Sequence, residues 1–264
     1  MLSNWNNLVA RRDLLKELVV SELRSQTHGT LLGWLWWLVD PLVMMVIYWG
    51  VVVGVLGRGE SYAPYPIFVL CGLLPWKHLS YSVNRSTTVL AGSEGLIKAI
   101  PFPTMVLPLG RVGSGFICFL FGLAVLLVAA AVWGCPPSVA LVQVPGLLAA
   151  QLLLVAGLSL GVAAVGVMLR DLAVAMQHLM RVGLYLTPVI YGLDMVRDKL
   201  GEPWFTLYLM NPFAIVIEGY RSAIFEGAFM NPWYWPVLAA QSVAFFGVGY
   251  AIYRHYDRRV IKFL

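Results

Sequence analysis

Long uncharged blocks dominate the pattern of hydrophobic and polar positions along this chain. A helix needs roughly 20 predominantly apolar residues to cross the ~30 Å hydrocarbon core of a bilayer. Blocks of about that length or longer lie at about 31–57, 66–83, 112–133, 139–169, 172–192 and 233–253. The pattern therefore predicts an all-α integral membrane protein with six transmembrane helices.

The composition agrees with a membrane protein and leaves little room for a soluble domain. The chain is 60% hydrophobic and 12% charged, whereas soluble domains are about 25% charged. We expect an amphipathic cytoplasmic segment over 1–30, one transmembrane domain over 31–254 and a basic cytoplasmic tail over 255–264.

The distribution of basic residues predicts the orientation. Six spans place both termini on one side, and cytoplasmic loops carry an excess of Lys and Arg. The N-terminal segment, 84–111, 170–181 and the C-terminal tail together hold thirteen of the 18 Lys and Arg residues, and the opposite segments hold four. Both termini are therefore expected in the cytoplasm. The net charge of +5 reflects this bias and does not require a nucleic-acid partner.

Residues 8–24 follow an amphipathic pattern. Apolar residues such as Leu14, Leu18 and Val19 recur at helical spacing, and charged residues occupy the other face. The segment is too polar to span a membrane, so we expect a helix along the cytoplasmic interface. An ordinary cytosolic helix is the alternative.

The segment between the second and third blocks predicts a short cytoplasmic helix. Glu94 lies in its first turn, and Pro101 ends it because proline cannot continue a helix. This helix, at 94–100, is either a plain connector or a docking surface for a cytoplasmic partner.

The external segment 193–232 is rich in aromatic residues and is interrupted by three prolines. It is too apolar for a free loop and too interrupted for a span. We expect two short re-entrant helices, at about 203–210 and 212–226, between the fifth and sixth spans. Non-helical backbone at that depth must be buried by protein or line a wet cavity.

No motif indicates catalysis by this chain. It lacks the GxxxxGK[ST] phosphate loop and the HExxH and GxSxG signatures, and its four His residues fall in different segments. The three Cys residues share no CxxC or metal-ligand spacing, which favours structural thiols. We therefore expect neither an enzyme nor a metal site, and no cofactor bound by this chain.

Ionisable residues inside a membrane are functional candidates because burying their charge is costly. Lys77 lies deep in the second block, where it either faces a lumen or snorkels to the outer interface. Arg181 lies near the middle of the fifth block. It faces either a water-filled path that suits an anionic phosphate or a partner carboxylate such as Asp40 or Glu94.

Aromatic residues are abundant, with ten Trp, 12 Tyr and 12 Phe. Most are expected at the membrane interfaces. Because aromatic faces also stack on sugar rings, Tyr48, Trp49, Tyr185 and Tyr191 are candidates for lining the path of a glycan.

Asp40 and Pro41 interrupt the first apolar block side by side. Trp34, Trp36 and Trp37 are expected to mark the cytoplasmic interface, so Asp40 lies only about one helical turn, roughly 5 Å, below it. We interpret the pair as a hinge, in which Pro41 loosens the helix and Asp40 caps freed N–H groups or pairs with Arg85 or Arg111. A proton relay at Asp40 is the alternative.

Six segments occur in a characteristic order. They are RSQTHGTLLGWLWWLVDPL (24–42), YPIFVLCGLLPWKHLSYSVNRST (65–87), LIKAIPFPTMVLPL (96–109), RDL (170–172), LTPVIY (186–191) and NPFAIVIEGYRSAIFEG (211–227). The ordered set covers nearly the whole chain. It resembles the permease subunits of type-2 ABC exporters for lipid-linked polysaccharides, the family of the O-antigen, teichoic-acid and capsule export permeases.

The resemblance implies a homodimer in the cytoplasmic membrane, surrounded by membrane lipids, that pairs with two copies of a separate cytoplasmic ABC ATPase. That ATPase, and not this chain, binds ATP and Mg²⁺. The implied substrate is a lipid-linked glycan, expected to carry a polyprenyl diphosphate, which Arg181 or Lys77 would attract through its phosphates.

The resemblance also implies residue roles. Contact with the ATPase is expected at the N-terminal helix and the short cytoplasmic helix, through Arg11, Arg12, Lys16, Glu94, Gly95, Leu96, Ile97, Lys98 and Ala99. An external gate is expected from the re-entrant helices, through Asn211, Pro212, Phe213, Glu218, Tyr220 and Arg221.

Two other functions stay open at this point. One is a type-2 ABC permease for phospholipid-linked capsule, drugs or small lipids. The other is a membrane glycan or acyl transferase, which the lack of acidic or His clusters disfavours.

Overall fold

The computed structural model describes residues 12–27, 33–55, 62, 64–99, 102–169 and 171–263, and the regular elements within these ranges are helices. They are α1 (Arg12–Thr27), α2 (Trp36–Trp49), α3 (Tyr65–Gly92), α4 (Glu94–Ala99), α5 (Val106–Val132), α6 (Val144–Gly166), α7 (Leu172–Leu186), α8 (Leu193–Leu200), α9 (Glu202–Tyr208), α10 (Pro212–Tyr220) and α11 (Tyr234–Phe263). Turns of 3-10 helix precede α2 and α6, and π-helical turns extend α2 and α10 over Gly50–Val55 and Arg221–Glu226. The predicted all-helical class is confirmed.

Among the described residues, three helices are long and apolar enough to cross a membrane. They are Val106–Val132, Val139–Gly166 and Tyr234–Tyr256. The first has 27 residues, which is about 40 Å of helix and more than the hydrocarbon core requires. The chain is therefore a helical membrane protein.

Helix α3 is longer than the second apolar block. The sequence predicts a span over 66–83, but the helix continues to Gly92 through the polar stretch NRSTT. The hydroxyl of Thr87 donates to the carbonyl of Asn84 at 2.6 Å within the helix. Ser82 and Ser86 are fully buried, and α3 packs against both α5 and α6. Packing thus carries the helix past the end of its apolar pattern.

Helix α7 is shorter than the fifth apolar block. The block runs to 192, but the helix ends at Leu186 and residues 187–192 are not helical. Thr187 has extended backbone angles of φ −101° and ψ 146°, as expected for a residue that precedes a proline. Pro188 therefore ends α7 although the stretch stays apolar.

Glycines bring α6 and α11 into close contact. A Cβ atom on Gly157 would lie 2.5 Å from the carbonyl oxygen of Phe245, and one on Gly249 would collide with the backbone of Gly157. Small residues of this kind let the backbones of membrane helices approach closely, which gains dispersion energy that lipid cannot replace. The two helices form the most extensive pairing of the bundle.

The N-terminal helix α1 packs on the first turns of α5. Val19 lies over Gly113, where a Cβ atom would meet its Cγ2 atom at 3.0 Å. Glu22 is buried, forms an ion pair with Arg111 and accepts a hydrogen bond from Tyr81 at 2.9 Å. These contacts attach α1 to both α3 and α5.

We predict that Gly249→Ala weakens the α6–α11 seam. The added methyl group would force the helices apart, a change that costs about 1–3 kcal/mol in a packed core. Thermal unfolding of the purified chain in detergent measures the effect. Gly247→Ala is the matched control on the same helix, because nothing lies within 4 Å of the position its Cβ would take. Equal melting temperatures for the two variants would contradict this account.

Candidate functional site

A cleft of about 920 Å³ lies between α2, α3 and α7. Helix α2 lines it with Asp40, Met44 and Tyr48, which follow one another at single turns. Helix α3 contributes one face between Leu73 and Thr88, and α7 contributes one face between its first and last turns. The cleft therefore runs along the three helices and not across them.

The lining changes in character along the cleft. Polar side chains extend from the middle toward the end of α3 near Gly92, and they are Lys77, Ser80, Asn84, Arg85, Thr88, Gln177 and Arg181. Four aromatic side chains line the cleft: Tyr48, Trp76 and Tyr185 lie toward the opposite end, and Tyr81 lies within the polar part. The arrangement suits an elongated ligand that has an anionic group at one end and rings that stack on aromatic side chains along the rest of its length.

Lys77 joins α3 to α2 inside the cleft. Its Nζ atom lies 3.1 Å from Oδ2 of Asp40 and donates to the carbonyl of Trp36 at 3.3 Å. The prediction that Asp40 pairs with Arg85 or Arg111 is therefore wrong. The carboxylate of Asp40 pairs with Lys77, and Arg111 pairs with Glu22. Of the two orientations considered for Lys77, the structure has the side chain facing the cleft.

Arg181 and Arg85 give the cleft a surplus of positive charge. The lining holds three basic residues and one acidic residue. Within the described part of the chain, neither arginine forms an ion pair, and Arg85 lies over the ring of Tyr81 at 5.8 Å. The carboxylates considered for Arg181 are engaged elsewhere, since Asp40 pairs with Lys77 and Glu94 pairs with Lys98 at 2.5 Å.

Two of the four candidate aromatic residues lie outside the cleft. Tyr48 and Tyr185 line it, whereas Trp49 is exposed on the outer face of α2. The hydroxyl of Tyr191 donates to the carbonyl of Tyr185 at 2.9 Å, and the ring packs in a separate apolar cluster. The roles of all four in binding stay predictions.

The Asp40–Pro41 pair does not interrupt the helix. Helix α2 begins at Trp36 after a 3-10 turn and continues through Pro41 to Trp49. Asp40 binds Lys77 and makes no hydrogen bond to a backbone N–H in the described residues. In the fold, Asp40 links α2 to α3 through its ion pair with Lys77. The hinge role of Asp40 and Pro41 stays a prediction.

The predicted ATPase-coupling residues lie on exposed helix surfaces where they are described. Gly95, Leu96, Lys98 and Ala99 are exposed on α4, and Ile97 packs against the cluster formed by the ends of α3, α5 and α6. Lys16 is exposed on α1. Arg11 and the side chain of Arg12 lie outside the described residues. Helix α4 therefore presents Leu96 outward while Ile97 holds it to the bundle.

Among the described residues, Arg221 is the most deeply buried cation, and it is 1% exposed. Its guanidinium donates to the carbonyls of Val189 at 2.6 Å, Tyr191 at 2.9 Å and Phe68 at 3.4 Å. Its Cζ atom also lies 3.7 Å from the centre of the Phe68 ring. The carbonyls of Val189 and Tyr191 belong to the non-helical stretch after α7. Arg221 therefore provides these carbonyls with the hydrogen-bond donors that backbone N–H groups provide within a helix.

The close approach of this stretch to α3 requires a glycine. A Cβ atom on Gly72 would lie 2.7 Å from the carbonyl oxygen of Val189. Tyr62 adds a contact to the start of α8 by donating to both carboxylate oxygens of Asp194, at 2.9 and 3.0 Å. Burial and the hydrogen bond to Asp194 raise the pKa of Tyr62 to about 12, so this hydroxyl remains a donor at neutral pH.

Helix α10 enters the bundle with a capped start. The side chain of Asn211 accepts from the N–H of Phe213 at 3.1 Å and donates to Thr187 at 2.9 Å. Pro212 occupies the first helical position, which needs no N–H donor. Phe213 and Tyr220 are buried and Glu218 is partly buried, so α10 lies inside the chain's own bundle. The gate role of these residues stays a prediction.

Sequence reasoning missed Asn84, Arg85 and Gln177 as cleft residues. The signal was present, because Asn84 and Arg85 lie seven and eight residues after Lys77 and therefore on the same face of one helix. The predicted span ended at 83, so Asn84 and Arg85 were assigned to a loop and not to the same helix as Lys77.

A family profile and several individual proteins match this chain, and all of them are named as transport or export proteins. The sequence profile of the family described as "ABC-2 type transporter" matches residues 13–225, which is more than half of the chain. The chain is 28% identical over 226 residues to the O-antigen export system permease protein RfbA of Myxococcus xanthus, covering 86% of this chain and 85% of that one. It is 27% identical over 253 residues to the protein of that name in Klebsiella pneumoniae, covering 96% and 95%. A shorter match, 28% over 87 residues, joins it to the polysialic acid transport protein KpsM of Escherichia coli, over 33% and 34% of the two chains.

We predict that Arg221→Lys destabilises the packing of the non-helical stretch 187–192 against α3. A single ammonium cannot reach three carbonyls as the guanidinium does, and leaving buried carbonyls unpaired costs roughly 2–4 kcal/mol in total. The melting temperature of the purified chain measures the loss. Arg197→Lys is the control, because the Arg197–Glu202 pair is exposed and should leave the melting temperature unchanged. An unchanged melting temperature for Arg221→Lys would contradict the assignment.

Proposed function

Because this chain belongs to the ABC-2 type transporter family, we propose that it is the permease subunit of an ATP-driven exporter for a lipid-linked polysaccharide. The observation that supports this most directly is the cleft between α2, α3 and α7, which is basic in its polar part and aromatic at its other end. Relatives that match nearly the whole chain are named as O-antigen export permeases.

The chemistry of the cleft supports a lipid-linked substrate. Arg181 and Arg85 would bind a polyprenyl diphosphate, because guanidinium groups match the geometry of phosphate oxygens. Tyr48, Trp76 and Tyr185 offer faces on which sugar rings stack. Lys77 is held by Asp40, so the two arginines are the cations available to the phosphates.

The membrane topology that we propose has six spans with both termini in the cytoplasm. The spans are α2, α3, α5, α6, α7 and α11, and the membrane is the cytoplasmic one. In this orientation Gly92 lies at the cytoplasmic end of α3 and Tyr65 at the external end. The anionic end of the substrate would then enter from the cytoplasmic side, and the aromatic end of the cleft would lie outward.

The exposed apolar faces of α2 and α7 support a homodimer. Val43, Ile47 and Trp49 on α2 are exposed, and α7 has no buried residue among those described. Both helices border the cleft, so a second copy placed against them would enclose it between two chains. Lipid would cover whatever part of these faces the partner leaves free.

ATP and Mg²⁺ would bind to a separate ATPase, with two copies serving the dimer. Helix α4 lies between the cytoplasmic end of α3 and the start of α5, which makes it the direct route for motion into the cleft wall. Helix α1 would add a second contact, because it is attached to α3 and α5 through Glu22. This chain itself carries no catalytic step.

We predict that Arg181→Ala lowers export at least about tenfold, the effect of losing one charge-assisted hydrogen bond to phosphate. Co-purification with the ATPase should persist. Export of the glycan to the cell surface in a permease-deletion strain measures the effect. Arg254→Ala, an exposed arginine of α11 outside the cleft, is the matched control. Unchanged export in Arg181→Ala would remove this residue from the substrate path.

We predict that Leu96→Asp reduces co-purification with the ATPase about tenfold or more, because it places a charge in the centre of an apolar contact. The yield of ATPase recovered with the tagged permease measures the contact. Val139→Asp is the control, since Val139 is 81% exposed near the external end of α6. Full recovery of the ATPase with Leu96→Asp would place the docking surface elsewhere.

A further inference from the structure

One level of the cleft brings together an arginine, an aromatic ring and an ion pair. The ring of Trp76 on α3 lies against Gly183 on α7, where a Cβ atom would meet its Cη2 atom at 2.8 Å. Gly183 lies midway between Arg181 and Tyr185, which are one helical turn apart and both line the cleft. Because Lys77 directly follows Trp76, its ion pair with α2 lies at about this level.

The distance between Arg181 and Tyr185 fits one sugar ring. Four residues of helix correspond to about 6 Å along the axis, which is comparable to the width of a pyranose. A phosphate bound to Arg181 would place the sugar attached to it beside Tyr185. Tyr185 is 59% exposed, so its ring offers a face on which that sugar can stack.

The carboxylate of Asp40 is open to the cleft at this position. Its side chain is 58% exposed, whereas that of Lys77 is 23% exposed. Lys77 contacts Oδ2 of Asp40 at 3.1 Å, and within the described residues Oδ1 accepts no hydrogen bond. The ion pair therefore orients the carboxylate and leaves one of its oxygens available to a donor on a ligand.

Sugar hydroxyl groups supply donors of this kind. A hydroxyl that enters an apolar cleft loses its hydrogen bonds to water and needs a partner there, and an ionised carboxylate forms stronger hydrogen bonds than a neutral acceptor does. Lys77, Arg85 and Arg181 can only donate. Asp40 is thus the one ionised acceptor that the described lining of the cleft offers to a sugar.

We propose that Asp40, oriented by Lys77, is a specificity-determining residue that accepts a hydrogen bond from the first sugar of the substrate, the sugar joined directly to the diphosphate. The proposal rests on the proposed function, in which arginines bind the phosphates, and it adds the residue that recognises the glycan. Tyr185 stacks on the same sugar. A ligand with the diphosphate but without the sugar leaves the Asp40 carboxylate without this donor and binds more weakly.

Two soluble probes that carry either a sugar or a methyl group on the same diphosphate test the proposal. They are farnesyl-diphospho-glucose and the methyl ester of farnesyl diphosphate, which have equal negative charge. Isothermal titration calorimetry on the purified full chain in detergent, without ATP, measures the two dissociation constants. We expect the wild type to bind the glucose probe about tenfold more tightly, the effect of one hydrogen bond to a charged group.

Asp40→Ala should abolish this preference, so that the two probes bind equally. The change also frees Lys77, which strengthens the binding of both probes alike, so the ratio of the two dissociation constants is the decisive quantity. Asp40→Asn breaks the ion pair but keeps a neutral acceptor. We expect it to retain a preference of about threefold, because a neutral hydrogen bond has roughly half the free energy of a charge-assisted one.

Glu202→Ala is the matched control. Glu202 forms an exposed ion pair with Arg197 at 2.5 Å, outside the cleft, so its loss changes the net charge by the same amount and frees a cation elsewhere. The preference for the glucose probe should stay at the wild-type value. A reduced preference in this control would attribute the effect to net charge and would overturn the proposal.

A full preference in Asp40→Ala, or the same ratio in Asp40→Ala and Asp40→Asn, would also overturn the proposal, since a residue that only links α2 to α3 loses that link in both variants. If Asp40→Ala does not fold, Asp40→Asn decides, because an undiminished preference there contradicts the proposal. A wild type that binds both probes equally would refute the role of Asp40 alone. A wild type that binds neither probe would refute the proposed binding of the diphosphate as well.

Discussion

Backbone groups inside a membrane must find hydrogen-bond partners within the protein, and Arg221 meets this requirement where α7 stops. Its guanidinium binds the carbonyls of Val189 and Tyr191 and stacks on Phe68. One side chain thereby fixes the non-helical stretch after α7 against α3. Helices α8, α9 and α10 follow that stretch in the chain, so their placement depends on the same contact.

Helix α3 is the element that most of the molecule shares. One of its faces lines the cleft, and another is buried against α5, α6 and α10. Lys77 and His78 are neighbours in sequence, yet they bond α2 on one side and α6 on the other. A movement of α3 relative to either side must strain polar contacts, which makes this helix a mechanical link between α4 and α10.

The sequence predicted the helical class, the short helix at 94–100 and the presence of Lys77, Arg181, Tyr48 and Tyr185 near a substrate path. The structure gathers those four around one cleft, while their roles remain to be measured. In the structure Asp40 pairs with Lys77 and not with Arg85 or Arg111, the partners expected from the sequence. Arg85 was not recognised as a cleft residue, because α3 continues beyond its apolar block and hydropathy alone does not detect a helix that is held by packing.

The sequence by itself determined that this is a helical membrane protein of the ABC-2 type, because hydrophobic block lengths and ordered local segments are properties of neighbouring residues. Tertiary structure decided which polar residues meet. Asp40 and Lys77 are 37 residues apart, and Arg221 and Phe68 are 153 apart. Such pairs depend on how helices pack, and helix packing depends on shape complementarity at glycines such as Gly157 and Gly249, which local hydropathy does not encode.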